Sequence, residues 1–143
     1  MVSVAIFDYG AGNIFSLKNS LEQAGASVDV ITSFDKPNVY SGLLLPGVGN
    51  FDPAIKSINE NSKTKFQDFV KTGTPVLGIC LGMEMFFEKS EEGIEKGFNV
   101  IDGEIVVLPS TVKVPHMGWN NLEIKRPGVI LEGVKDDSWV YFV

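Results

Sequence analysis

Apolar runs alternate with amphipathic segments along the first half of the chain. Four runs without a helical period predict buried strands, at residues 2–7, 28–31, 43–45 and 75–79. Between them, apolar side chains recur at helical spacing at Ile14, Leu17, Leu21 and Ala24, and again at Phe66, Phe69 and Val70. Strands that are separated by helices in this way predict a parallel sheet covered on both faces. The fold class is therefore α/β, with a doubly wound, mostly parallel, flavodoxin-like sheet.

Capping residues mark the ends of the predicted helices. Asn13 is a suitable N-cap for the first helix, and Gly25 lies where a C-terminal glycine is expected. Asp52, followed by Pro53, predicts a helix that begins with a capping acid. Gly73 ends the helix that precedes the fourth strand.

The pattern changes beyond residue 90. Residues 88–97 are rich in charge and glycine and predict a solvated loop. Short apolar runs at residues 100–101, 105–108 and 112–114 predict strands of a short antiparallel extension. Residues 139–143 form a wholly apolar run that predicts one more strand.

Composition narrows the classes of function. A length of 143 residues predicts one domain, residues 1–143. A net charge of −6 disfavours nucleic acid or an anionic membrane as the main partner, and no apolar stretch is long enough to span a membrane. One cysteine permits no internal disulfide, which is typical of the cytoplasm, and one histidine excludes a multi-histidine zinc site. We expect no metal and no cofactor.

The most informative motif is G-x-C-x-G at residues 78–82, directly after the fourth apolar run. It matches a nucleophile elbow, in which the nucleophile lies on a sharp turn from a strand into a helix, here predicted to begin around Met83–Phe87. Backbone N–H groups and the helix dipole at such a turn favour a thiolate. A lone cysteine is often a small buried hydrophobe, but two flanking glycines would serve no purpose around a packed cysteine. Cys80 is therefore the candidate nucleophile.

A second glycine-rich turn, at residues 46–49, ends the third predicted strand. Loops at this edge of a parallel sheet commonly bind ligands, and the turn would supply an oxyanion donor beside Cys80. The alternative is a turn with no role in chemistry. Gly10-Ala11-Gly12 lacks the third glycine of a dinucleotide fingerprint, so phosphate binding is the weaker interpretation.

Four segments together resemble one known family. They are residues 8–13 (DYGAGN), 46–49 (PGVG), 78–83 (GICLGM) and 115–120 (PHMGWN). In these segments the chain is similar to the glutaminase subunits of imidazole glycerol phosphate synthase, within the class I (triad) glutamine amidotransferases. The GICLGM and PGVG segments mark the superfamily. The DYGAGN and PHMGWN segments select this member of it.

The resemblance implies hydrolysis of L-glutamine through a glutamyl thioester on Cys80. The ammonia would pass to a cyclase subunit, a (β/α)8 barrel, in a heterodimer of histidine biosynthesis. Roles carried over by position give an oxyanion hole from Gly47, Val48 and Leu81. The same carry-over places Gly49, Glu84 and Glu92 around the substrate, and Asn13, His116, Met117 and Trp119 at the partner interface.

Two departures from the family pattern accompany the resemblance. Glu84 stands where the family usually has glutamine. The family's catalytic base is a histidine in a later His-Pro-Glu segment, which residues 1–143 do not contain, and His116 belongs to the PHMGWN segment instead. We therefore expect the sequence to be incomplete at its C-terminus and inactive by itself.

Other functions compatible with the sequence are the glutaminase subunit of another biosynthetic amidotransferase, a cysteine hydrolase or stress protein of similar architecture, and a noncatalytic scaffold.

Overall fold

A computed structural model describes residues 1–35 and 39–143. The chain forms two compact units, Met1–Val107 and Leu108–Val143, and each is described by itself. The first unit contains the predicted sheet and the G-x-C-x-G motif. The second contains the PHMGWN segment.

The first unit is built on a four-stranded parallel sheet. Its strands are β1 (Ser3–Phe7), β2 (Ser27–Ile31), β3 (Gly42–Gly47) and β4 (Val76–Cys80). The strand order is β2-β1-β3-β4, and all three neighbouring pairs are parallel. The carboxyl ends of β1, β3 and β4 therefore meet at one edge, where the sequence placed its three glycine-rich turns.

Helices cover both faces of this sheet, as predicted. They are α1 (Ile14–Gln23), α2 (Phe51–Ser57), α3 (Glu60–Lys71) and α4 (Leu81–Glu84). One face packs α1 against Ile6, Val28 and Leu44, whereas the other buries α2 and α3 in a larger core that includes Phe51 and Phe66. Within the described residues, no helix combines the length and the apolar character that crossing a membrane requires. The doubly wound α/β architecture is confirmed.

The predicted helix ends are mostly confirmed. The Asn13 side chain accepts a hydrogen bond from the Ser16 amide at 3.1 Å, and Gly25 and Gly73 adopt φ values of 89° and 81° just after α1 and α3. The capping role predicted for Asp52 is wrong. It lies inside the first turn of α2, and its carboxylate accepts from the amides of Ile94 and Glu95 at 3.0 Å each.

The segment that follows α4 is only partly a loop. A two-residue strand β5 (Lys89–Ser90) pairs in parallel with β6 (Glu104–Ile105). The prediction of strands at residues 100–101 and 105–108 is wrong, except that Ile105 belongs to β6. Residues 100 and 101 instead donate backbone hydrogen bonds to the Phe86 carbonyl, so this apolar run packs against the turn that follows α4.

The second unit contains the antiparallel pair. Strand β7 (Gly118–Asn121) pairs with β8 (Trp139–Phe142), and a 3-10 turn at Val129–Leu131 lies between them. The strand predicted at the C-terminal apolar run is confirmed, but the one at residues 112–114 is wrong. Those three residues are exposed, so alternation of valine with lysine and threonine did not mark a buried strand there.

Candidate functional site

Cys80 occupies a strained turn at the carboxyl end of β4. It is the last residue of that strand, α4 begins at the next residue, and its side chain is exposed. Its backbone angles are φ 55° and ψ −123°, a region that residues with a Cβ rarely adopt. Such a conformation costs on the order of 1–3 kcal/mol and persists only where the surrounding structure enforces it. The nucleophile elbow predicted from sequence therefore has the expected backbone geometry.

The two glycines of the motif are required by space. A Cβ on Gly82 would overlap the carbonyl oxygen of Leu45, and a Cβ on Gly78 would lie 2.5 Å from the Cα of Met83. The absence of a side chain at Gly82 therefore lets α4 pack directly on the backbone of β3. The absence of a side chain at Gly78 lets the start of α4 fold back on β4. Both glycines thus allow the chain to reverse tightly enough to present the cysteine.

The helix after the cysteine is shorter than the sequence predicted. It ends at Glu84, and residues 85–88 form turns rather than a continuation. Met85 and Phe86 are buried in the main core, so their apolar character reflects packing and not a helical face. Because a macrodipole is the sum of aligned peptide units, a helix of one turn contributes little to the electrostatics of the elbow.

The second glycine-rich turn lies beside the cysteine. Gly47 is the register partner of Cys80 across β3 and β4, and the Cβ of Leu81 lies 2.8 Å from the position that a Cβ on Gly47 would take. Val48 is exposed, and Gly49 follows it with a φ of 98°. The residues assigned to the oxyanion hole are thus adjacent in the fold. Their catalytic role stays a prediction.

The carboxylates of Glu84 and Glu92 both belong to the first unit. Burial, with a contribution from the negative charge of Glu92, raises the pKa of Glu84 above its ordinary value. Glu92 lies in the turn after β5, where its amide donates to Ser90 Oγ at 3.2 Å. The backbone bonds to Asp52 hold the following residues of this turn against α2. The pair predicted to contact the substrate is thus close enough to interact electrostatically.

Sequence reasoning overlooked Tyr9. This residue follows β1 at the same edge of the sheet, and its hydroxyl lies 2.5 Å from the position of a Cβ on Gly47. Burial, and to a lesser extent the charge of Cys80, raises the pKa of Tyr9 to about 12. Its hydroxyl oxygen is buried and has no hydrogen-bond partner among residues 1–35 and 39–143. The available signal was its place directly after a predicted strand in a glycine-rich loop.

The loop that contains Tyr9 and Asn13 lies next to the second turn. A Cβ on Gly12 would lie 3.2 Å from the Cβ of Pro46, so the loops after β1 and β3 are in contact. Asn13 is exposed, and its side-chain oxygen is used as the N-cap of α1. Its assignment to the partner interface stays a prediction.

The other predicted interface residues belong to the second unit. The His116 ring stacks on Phe142 with a centroid distance of 4.9 Å, and Trp119 meets Tyr141 edge-on at 5.5 Å. Met117 and Trp119 are 58% and 67% exposed. The β7–β8 pair therefore presents large apolar side chains to solvent, a composition favoured at protein interfaces.

Comparison with known proteins gives concordant matches along the chain. The sequence profile of the family described as glutamine amidotransferase class-I matches residues 5–142. The imidazole glycerol phosphate synthase subunit HisH of Methanosarcina barkeri is 40% identical over 100% of this chain and 71% of its own length. The proteins of the same name from Aquifex aeolicus and Archaeoglobus fulgidus are 42% and 43% identical, over 96% and 98% of this chain and 68% and 70% of theirs.

Proposed function

Because the chain belongs to the class-I glutamine amidotransferase family, we propose that it is the glutaminase subunit of an imidazole glycerol phosphate synthase. The relatives compared above carry that name and are 40–43% identical in sequence to this chain. The structural observation that carries the proposal is the strained backbone of Cys80, with Gly47 opposite it. A cysteine that only filled space would not be held at a positive φ on an exposed turn.

Hydrolysis of glutamine proceeds in two stages on this geometry. The Cys80 thiolate attacks the side-chain amide carbon, and the C–N bond then breaks as ammonia leaves with the proton that the thiol lost on ionisation. The product of this stage is a glutamyl thioester. Water attacks the thioester carbon in the second stage, so that glutamate leaves and the thiol is restored.

Negative charge develops on the same carbonyl oxygen in both stages, first in the amide and then in the thioester. The amides of Leu81 and Val48 are the proposed donors to this oxygen, because the first opens α4 and the second follows the register partner of Cys80. Removing one such donor typically costs a factor of about 10²–10³ in kcat. The close packing of Gly82 on the Leu45 carbonyl supports this proposal, because it holds the start of α4 against β3.

The carboxylates of Glu84 and Glu92 are proposed to bind the α-ammonium group of glutamine, with Gly49 in contact with the substrate backbone. A cation placed between two mutually repelling carboxylates relieves their repulsion. The ammonia is then proposed to pass to a (β/α)8-barrel cyclase. Asn13, His116, Met117 and Trp119 are the proposed contacts with that subunit.

A glutamine-like diazo-ketone tests this function in the complete protein bound to its cyclase. We expect the reagent to label Cys80 and L-glutamine to protect the residue, whereas L-asparagine, which is one methylene shorter, should protect it far less. Cys80→Ser is the matched control, and labelling at an unchanged rate in that variant would refute the mechanism. Equal protection by both amino acids would refute the assignment of glutamine as substrate.

A further inference from the structure

Tyr9, from the loop after β1, and Cys80, the last residue of β4, both lie beside Gly47 at the end of β3. Tyr9 lies in the loop after β1, and its hydroxyl lies 2.5 Å from the position that a Cβ on Gly47 would take. The β3–β4 register then pairs Gly47 with Cys80. Since Gly47 has no side chain, the Tyr9 hydroxyl occupies the space above β3 that a Cβ would otherwise fill. The phenol therefore extends from β1 toward the nucleophile.

The hydroxyl of Tyr9 is costly where it lies. It is buried without a hydrogen-bond partner among the described residues, whereas its ring stacks on Phe7 at 5.9 Å in the core. A buried hydroxyl without a partner costs about as much as a lost hydrogen bond, and phenylalanine would keep the ring contacts without that cost. Packing alone gives no reason for tyrosine at this position. The hydroxyl is thus a candidate donor to a nearby group once that group becomes charged.

We propose that Tyr9 is a positioning residue of the glutaminase centre, whose hydroxyl donates a hydrogen bond across Gly47 to the thiolate of Cys80. This inference deepens the function proposed above and rests on it for the identity of the substrate. The hydrogen bond would hold the sulfur toward the oxyanion turn and stabilise its charge before attack on the amide.

Electrostatics agree with this geometry. Burial, and to a lesser extent the charge of Cys80, raises the pKa of Tyr9 to about 12, so the phenol is protonated at neutral pH. A protonated phenol can only gain from a nearby anion by donating to it. The described ring partner, Phe7, does not compete for the proton.

The test is the pH profile of Cys80 alkylation by iodoacetamide in the complete protein bound to its cyclase, since alkylation reports the thiolate without requiring glutamine turnover. Tyr9→Phe removes the donor. Tyr40→Phe is the matched control, because its hydroxyl also lies in the first unit but donates to Asp29 at 3.1 Å. Cys80→Ser establishes the background rate.

Tyr9→Phe should move the midpoint of the alkylation profile upward by about one pH unit, the size expected for one lost hydrogen bond to an ionised group. The glutaminase kcat should fall by about tenfold, with KM changed by less than about twofold. The melting temperature should stay the same or rise. Replacement of Tyr9 with 3-fluorotyrosine, a stronger donor, should move the midpoint downward.

An alkylation midpoint that is the same in wild type, Tyr9→Phe and the fluorotyrosine protein would overturn the proposal and assign Tyr9 to the core. If the midpoint shifts but the protein does not hydrolyse glutamine, the hydrogen bond stands and the proposed substrate is wrong. If Tyr9→Phe fails to fold, the fluorotyrosine protein alone decides, because it keeps both ring and hydroxyl.

Discussion

The strain at Cys80 predicts an unusual order of stability for substitutions at this residue. At most positions alanine gives a more stable protein than glycine. At Cys80 the positive φ reverses this expectation, because only a residue without a Cβ adopts it at no steric cost. Cys80→Gly should therefore be more stable than Cys80→Ala.

The size of the difference follows from two opposing terms. Relief of the strained backbone stabilises the glycine variant by about 1–3 kcal/mol. The larger entropy of glycine in the unfolded chain costs about 0.5–1 kcal/mol. The expected net difference is roughly 0–2.5 kcal/mol in favour of glycine, and about 1 kcal/mol at the middle of both ranges. The exposed position of the side chain means that alanine and glycine lose little buried surface relative to cysteine.

Urea unfolding followed by far-UV circular dichroism measures this difference, because all four helices α1–α4 lie in the first unit. The same alanine and glycine pair at Thr64 is the matched control. Thr64 is exposed in the middle of α3, so alanine should be the more stable there by about 1 kcal/mol. The two positions should therefore give differences of opposite sign.

Alanine more stable than glycine at both positions would refute the claim that the fold strains Cys80. An equal m-value in each pair is required for the comparison, since a change in m reports a change in the unfolded or native state.

Two further predictions concern the carboxylate pair and the second unit. Burial and the charge of Glu92 raise the pKa of Glu84, so the folded state binds the Glu84 proton more tightly than the unfolded state does. The free energy of unfolding should therefore fall as pH rises above about 4.5, the ordinary pKa. Glu84→Gln should remove this fall when the free energy of unfolding is measured against pH, and the same pH dependence in both proteins would contradict the prediction. Trp119→Ala should weaken cyclase binding by about 1–3 kcal/mol in calorimetry and leave the melting temperature nearly unchanged. Trp139→Ala, which removes an equally exposed tryptophan outside the PHMGWN segment, is its control; loss of stability without loss of affinity would assign Trp119 to the core.

The parallel sheet was predictable because each strand is buried and its apolar run is continuous. Residues 43–45, for example, are all buried, and a continuous apolar run of this kind is typical of a parallel strand covered on both faces. The helix from Ile14 was equally clear, since its apolar residues face one side and Asn13 caps it. The position of Cys80 followed from the same logic, because the motif begins inside the fourth apolar run.

What escaped prediction depends on contacts between distant segments. Met85 and Phe86 continue the apolar pattern of α4, yet they fold into the core because the backbone around Phe98 pairs with theirs. Asp52 resembles a helix cap, but a partner some forty residues away takes its carboxylate. Tyr9 had no local signal for an unpartnered hydroxyl. Long-range partners of this kind are not encoded in spacing or propensity.

The interlocking of Gly82 with the Leu45 carbonyl has a consequence for protein engineering. The conformation of Cys80 is enforced by the backbone of a neighbouring strand, and Tyr9 comes from the loop that follows a third strand. A designer who transplants only the pentapeptide at residues 78–82 would move the nucleophile without the parts that strain it. A working graft would have to carry the carboxyl ends of β1, β3 and β4 together, in their native register, into a host that already has a parallel sheet.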